Sequence, residues 1–342
     1  MTKFVILGAG SIGCWLGGHL IAGLGVDGQN VTLIGRERFA SQIAENGLHL
    51  THFERPSIHC EGVDFQTSAA ALQGADIISL CVKSQDTASA AKEISQNAPN
   101  AKVISFQNGI RNLETLRDFL PAENIIPAIV PFNVTPTTPG GFHCGTAGAL
   151  VIENNAGAAP LVAALEAGGQ AVGLSDEILG DQWAKMIVNL NNGLNTLTGG
   201  TLREGLLQRD YRRALAACVE EALEIAEKNN VTVGQFNGRS PAALIKTLRL
   251  PDMAYRVIMQ TIVKIDTKAR SSMLDDLEAG RASEIAYLQG EIVDRAMRIG
   301  LSAPKNTAIL AAVQLAFLEG KSPKVSGSAI FKLINSEVPR LK

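Results

Sequence analysis

The chain has 342 residues, 46% of them apolar and 19% charged, a balance that excludes a disordered polypeptide and suggests two domains rather than one. A formal net charge of -2, with no basic run interleaved with aromatics, gives no electrostatic case for a nucleic-acid partner and leaves small molecules as the expected ligands. The five cysteines, Cys14, Cys60, Cys81, Cys144 and Cys218, are scattered without a CxxC pair, which suits buried thiols in the reducing cytoplasm better than a disulfide framework.

The first predicted strand covers residues 3–7, KFVIL, and runs into the hexapeptide Gly8-Ala9-Gly10-Ser11-Ile12-Gly13, after which CWLGGHLIAGL continues as a helix. The G-x-G-x-x-G spacing between strand and helix lets the backbone turn tightly and approach a pyrophosphate, whose charge then lies on the free N–H groups at the positive helix end. Residues 4–26 lack any side chain charged at neutral pH except His19 if protonated. Their seven glycines interrupt the apolar run and no cleavage site follows, so neither a signal peptide nor a membrane span is expected. A second strand, 30–34, ends at Gly35-Arg36-Glu37-Arg38. An NAD enzyme presents a carboxylate to the ribose hydroxyls at this point. Arg36 can instead take a 2'-phosphate bidentately, so NADP (NADPH) is the predicted cofactor. The bland alternative turns Glu37 inward and makes Arg36 a solvated helix-start residue.

Residues 48–65 alternate in short runs, the pattern of a hairpin or an irregular connection. His49, His52, His59 and Cys60 fall there, but match no HExxH or paired Cys and His spacing, and no metal site is expected. An α/β rhythm then resumes: a strand over 75–82 ending at Lys83, a helix through 88–94, and a strand over 102–106 ending at Gln107-Asn108-Gly109. Ligands of an open parallel sheet lie beyond the carboxyl ends of its strands, which makes Lys83 and Asn108 cofactor candidates, although both suit ordinary loops. A strand over 125–130, a turn-rich segment and an apolar run over 149–152 predict a hairpin closing the sheet. A helix over 158–167 and a last strand over 171–175 follow. From 176 to 318 the periodicity is helical, broken at Gly199-Gly200, Asn229-Asn230, Pro241, Pro251, Gly280, Gly300 and Pro304. The fold class is therefore α/β, with a Rossmann-type dinucleotide-binding domain over 1–176 and a mostly α-helical domain over 177–342. The tail 320–342 is at best a short helix.

The helical part opens on residues 181–200, DQWAKMIVNLNNGLNTLTGG. Read as one helix, this segment has an apolar stripe of Trp183, Ile187, Leu190, Leu194 and Leu197. Lys185, Asn189, Asn192 and Thr196 fall within roughly 60° of one another on the other side. That face is nearly free of carboxylates, and asparagine is a mediocre helix former, so the face suggests a lysine lining a cleft over an ordinary solvated surface. A desolvated amine is a suitable proton donor, and amides beside it hold a hydroxyl or carbonyl without adding charge. Further on, Ser272 with Asp275 has the spacing of a helix N-cap, and Glu284 falls in the first turn of the helix predicted after Ser283. By spacing alone both are structural.

Taken in order, GAGSIG, Arg36, Lys83-Ser84, Gln107-Asn108-Gly109, Lys185 with Asn189 four residues later, SSMLDD and SEI resemble the ketopantoate reductases (2-dehydropantoate 2-reductases) over nearly the whole chain. The resemblance implies an interdomain cleft holding NADPH and a branched 2-keto acid, reduction of 2-dehydropantoate to pantoate for pantothenate synthesis, and Lys185 as general acid. It assigns Asn189 and Ser272 to the substrate and places Glu284 by the cofactor ribose and the lysine. Arg36, Lys83 and Asn108 would contact the cofactor, Asn108 at the substrate side as well. In that family a second asparagine usually stands eight residues after the lysine, where this chain has Gly193. Asn192 is the candidate to replace it, in a reshaped pocket. A β-hydroxyacid dehydrogenase, a reductase of another branched 2-keto acid and a non-catalytic NADP-binding sensor are the competing readings. The expected partner is a small 2-keto acid, with no nucleic acid or membrane and with a homodimer left open.

Overall fold

The run after Lys3 becomes a strand buried on both faces, β1 (Phe4–Leu7). Phe4 and Ile6 point into one apolar cluster and Val5 and Leu7 into another, the alternation that places a strand at the centre of a covered parallel sheet. The computed structural model describes residues 1–25, 30–146, 148–236, 238–261 and 269–336. The chain divides into two compact units, Met1–Ile178 and Leu179–Lys342.

In the first unit β1 is followed by α1 (Ser11–Leu24), β2 (Val31–Ile34), α2 (Glu37–Asn46), β3 (Leu48–His52), β4 (Ile58–Cys60), β5 (Asp64–Gln66), β6 (Ile77–Leu80), α3 (Thr87–Asn97), β7 (Lys102–Ser105), α4 (Arg111–Arg117), β8 (Ile125–Ile129), β9 (Val134–Pro136), β10 (Gly141–Cys144), β11 (Leu150–Glu153), α5 (Ala159–Ala167) and β12 (Val172–Ser175). The main sheet has the order β12-β11-β8-β7-β6-β1-β2-β5. Neighbours from β5 to β8 run parallel, while β11 pairs antiparallel with β8, as the closing hairpin predicts. Chain order reverses across β1, which has β2 on one side and β6 on the other, so the crevice at their carboxyl ends is the switch point where such sheets take ligands.

The segment 48–65 is partly a hairpin, β3 with β4, in which the His49 and His59 rings stack 3.9 Å apart as a cross-strand pair. Two features differ from the expected connection. Residues 64–66 form β5 at the edge of the main sheet, and β3 pairs with β10 to build a second sheet in the order β4-β3-β10-β9. Helix α1 packs against strands of both sheets and against α5. A Cβ on Gly17 would come within 2.9 Å of Leu33, and one on Gly18 within 2.5 Å of Leu50. The run without charge is thus a buried helix made slim on two sides. Among the described residues no helix is long and apolar enough to cross a membrane.

The second unit is built from α6 (Ile178–Asn189), which starts one residue earlier, α7 (Asn191–Thr198), α8 (Leu202–Leu207), α9 (Arg209–Lys228), α10 (Pro241–Leu248), α11 (Asp252–Thr261), α12 (Ser272–Glu278), α13 (Gln289–Arg298), α14 (Pro304–Glu319) and α15 (Gly327–Asn335). The glycines named above and Pro251 fall between them, and Pro241 and Pro304 are the first residues of α10 and α14. The tail supplies α15, and its residues 337–342 lie outside the described residues. The long α9 packs against α10, α14 and α15, and the fully buried Arg212 on it ties the unit together. Its guanidinium donates to the carbonyls of Leu206, Leu207, Leu248 and Leu250 and pairs with Asp252 at 2.5 Å. One cation thereby satisfies the carbonyl ends of α8 and α10, where helix dipoles favour positive charge.

Candidate active site

The glycine turn closes the carboxyl end of β1. Gly8 has φ +96° and its N–H, like that of Ala9, donates to the Ile34 carbonyl. A Cβ at Gly8 would lie 2.5 Å from the Val82 nitrogen, and one at Gly13 would lie 2.5 Å from the Gly8 carbonyl oxygen. These glycines let strand, turn and helix meet. Gly10 differs, because a Cβ there would meet nothing within 4 Å. It is the N-cap of α1, and no side chain among the described residues caps that end. An uncapped fourteen-residue helix beginning on an open glycine suits a pyrophosphate, so Gly8, Ala9, Gly10, Ser11, Ile12 and Gly13 can hold a dinucleotide.

At the end of β2 the steric argument sharpens. A Cβ at Gly35 would lie 2.8 Å from the Phe65 ring and 3.0 Å from Ala9, so a ribose-binding carboxylate has no room at that position. Arg36 follows as the exposed N-cap of α2, and Glu37 in the first turn is exposed rather than turned inward.

Beyond β6 and β7, Lys83 and Asn108 are half-buried beside a polar network absent from the sequence reading. The buried Asn112 side chain donates to the Asn108 carbonyl at 2.6 Å and to Ser84 Oγ at 3.2 Å, and accepts from Thr87 Oγ1 at 3.0 Å. Gln107 donates to Thr87 Oγ1 and to the Val82 carbonyl, at 2.8 and 3.1 Å, and Ser105 donates to Gln107 Oε1. The loops carrying Lys83 and Asn108 are thus locked to one another by buried amides. The only advance signal was a polar residue near the start of the short α4.

In the second unit the expected continuous helix over 181–200 is broken at Leu190, whose N–H reaches back to Ile187 at 3.2 Å before α7 begins. The apolar stripe of Trp183, Ile187, Leu190, Leu194 and Leu197 is buried as the periodicity predicts. The polar face is only partly as expected. Lys185 is buried, and Asn189 and Asn192 are half-buried with no side-chain hydrogen bond among the described residues. Thr196 leaves that face: it is fully buried, with its hydroxyl folded back on the Asn192 carbonyl at 2.9 Å. Burial lowers the Lys185 pKa to about 8, against the opposing pull of the Glu284 carboxylate. A primary amine poised there is protonated at neutral pH and can still release its proton.

Ser272 and Glu284 both depart from their structural readings. The N-cap of α12 is Ser271, whose Oγ accepts from Leu274 N–H at 3.2 Å, and its own N–H is held by Asn195 Oδ1 at 3.0 Å. Ser272 is left half-buried, its hydroxyl without a partner among the described residues. Glu284 precedes a short 3-10 turn over Ile285–Tyr287 rather than lying in a helix, and is buried. Asn195, whose Nδ2 also donates to the Gly200 carbonyl at 3.0 Å, fixes the serine pair against α7. Among the described residues no group of three or more histidine, cysteine or acidic side chains can hold a metal ion.

A doubly wound parallel sheet with an open glycine turn at its switch point, in a chain whose helical unit buries the amine of Lys185, defines a dinucleotide-dependent oxidoreductase. Residues 4–157 match the family described as ketopantoate reductase PanE/ApbA, and residues 177–316 match its C-terminal counterpart. A 2-dehydropantoate 2-reductase of Halobacterium salinarum is 28% identical over 93% of this chain and 100% of its own. The crystal structure of a PanE/ApbA family ketopantoate reductase from Ralstonia eutropha superposes with a TM-score of 0.79 at 31% identity, covering 93% of this chain and 99% of that one. D-Mandelate dehydrogenase, solved with NADH and anilino(oxo)acetate, shares the fold at TM-score 0.78 and 21% identity, over 93% of this chain and 99% of that one. The chain belongs to the ketopantoate reductase family of NAD(P)-dependent oxidoreductases.

Proposed function

We propose that the chain reduces 2-dehydropantoate to pantoate with NADPH, a step of pantothenate and coenzyme A synthesis. The observation that carries this reading is the buried Lys185, held near a pKa of about 8, with the available groups of Asn189, Asn192 and Ser272 in the same unit. Bound NADPH supplies a hydride to the keto carbon. As that bond forms, the carbonyl π pair moves to oxygen, and the Lys185 ammonium stabilises the charge and transfers its proton there. The amine recovers a proton from water. Asn189, Asn192 and Ser272 orient the keto and hydroxyl groups of the acid, and Glu284 holds the lysine in its charged form. Exposed Arg36 and the crowded Gly35 favour the 2'-phosphate of NADPH over the free ribose of NADH.

A second reading keeps the chemistry and changes the acid, and it is favoured by Gly193, which leaves the start of α7 without an amide at that position. One assay separates the readings: oxidation of NADPH and of NADH followed with 2-dehydropantoate and a panel of branched 2-keto acids. The highest kcat/KM with NADPH and 2-dehydropantoate is expected. A higher value with another acid establishes the second reading, and equal use of both cofactors removes the role given to Arg36.

A further inference from the structure

The vacancy at position 193 is filled from another helix. A Cβ on Gly193 would lie 2.9 Å from Gln289 Nε2, closer than real Cβ atoms pack, and at a tight 3.1 Å from Gln289 Cδ and 3.0 Å from Ile309 Cγ2. Gln289, the first residue of α13, is fully buried, and its Nε2 donates to the Leu190 carbonyl at 2.7 Å. Leu190 is the junction between α6 and α7. The glutamine does this at a cost, because its Oε1 is buried with no hydrogen-bond partner among the described residues. Were filling volume all that was required, leucine or methionine would serve without stranding an oxygen.

The spacing shows what the contact fixes. Lys185 and Leu190 are five residues apart on one segment, and Glu284 and Gln289 are five apart on the other. The two segments meet twice, once through the Glu284 carboxylate acting on Lys185 and once through the Gln289 amide on Leu190. We infer that Gln289, given room by the missing side chain of Gly193, is a positioning residue that sets the α6–α7 junction and holds Lys185 in register with Glu284. This rests on the reading of Lys185 as proton donor. It also accounts for the glycine at this position: a larger residue at 193 would push the Gln289 amide from its place.

The test uses the full-length enzyme with Gln289→Met, which keeps the volume and removes the donor. Loss of register should lower kcat on the order of tenfold with NADPH affinity, read by cofactor fluorescence, unchanged. The Lys185 ammonium, followed by heteronuclear NMR of its Nζ, should titrate at lower pH because Glu284 no longer supports its charge. A purely structural glutamine would change the melting temperature and leave both the kcat and the Lys185 titration at their wild-type values, which overturns the inference. The NMR titration is independent of turnover. If Lys185→Ala shows that the lysine is not the proton donor, a shifted titration in Gln289→Met still supports the register and an unshifted one still refutes it. Gly193→Ala should reproduce the Gln289→Met effect, and in Gly193→Ala/Gln289→Ser the added methyl should cost less than it does beside Gln289, because only the Ile309 contact remains. Additive losses in that pair would show that the two positions act independently.

Discussion

Lys185 is where burial becomes chemistry. Desolvation pulls its pKa down to about 8 while Glu284 pulls the other way, so the alkaline limb of reduction should lie near that value. The sign follows from the role: a proton donor is needed as ammonium, and activity falls as pH rises through its pKa. Lys185→Ala should lower kcat by on the order of 100-fold and abolish the limb while NADPH still binds, as expected for a positioned general acid. Glu284→Gln removes the group that supports the charge, so its limb should move to lower pH. A limb that stays in place in Glu284→Gln would mean that the carboxylate has no hold on the amine. The same residue scale shows how adjacent alternatives resolve. SSMLDD offers two capping serines in neighbouring registers, and Asn195 takes the N–H of Ser271, which makes Ser271 the cap and releases Ser272 for other contacts.

At the scale of elements, what was legible in the sequence was local. β1, the glycine turn and α1 follow from six residues and their flanks, and most helix boundaries from glycine and proline. The second sheet was not legible, because β9 has three residues and β10 four, and β3 finds β10 some ninety positions away without any local mark. The break at Leu190 was masked by the apolar stripe, which runs on through Leu194 and Leu197 past the helix-weakening Asn-Asn-Gly, and the carbonyl there is held by Gln289 from a distant helix. The network around Asn112 is a third case, and it has a measurable consequence. Asn112→Leu removes the side-chain bond to the Asn108 carbonyl and one partner each of the Ser84 and Thr87 hydroxyls. A loss of about 1–2 kcal/mol, roughly tenfold in the Kd for NADPH, is expected if that loop contacts the cofactor. Unchanged NADPH affinity with a lowered melting temperature would make the network purely structural.

On the scale of the whole molecule, each unit buries a base whose pKa burial draws down, His19 in the first and Lys185 in the second, and the two should respond to pH in separate windows. His19 on α1 donates from Nδ1 to the Gly168 carbonyl at 2.7 Å, while its Nε2 is buried without a partner among the described residues. Burial lowers its pKa to about 4, reinforced by the nearby Arg55 and His52 charges and opposed by the Gly168 bond. An unfolded histidine binds its proton near pH 6.5. Between those values the unfolded state holds more protons, so the first unit should lose stability as pH falls from about 6.5 toward 4. Lys185 obeys the same rule higher up: its unfolded form titrates near 10.5 and its buried form near 8, so the second unit should gain stability as pH rises through that interval. Each shift corresponds to about 3 kcal/mol across its window. The chain provides its own reporters, because it has two tryptophans, with Trp15 in edge contact with the His19 ring at 4.7 Å and Trp183 on α6 two residues before Lys185. Urea unfolding of Trp15→Phe and Trp183→Phe, followed by fluorescence at pH 4.5, 6.5, 8 and 10, reads the units one at a time. The Trp15 signal should shift its midpoint in the acid window and the Trp183 signal in the alkaline one, and His19→Gln should flatten only the former. If both signals instead move together at every pH, the units unfold as one cooperative block and the two buried bases act on a shared equilibrium.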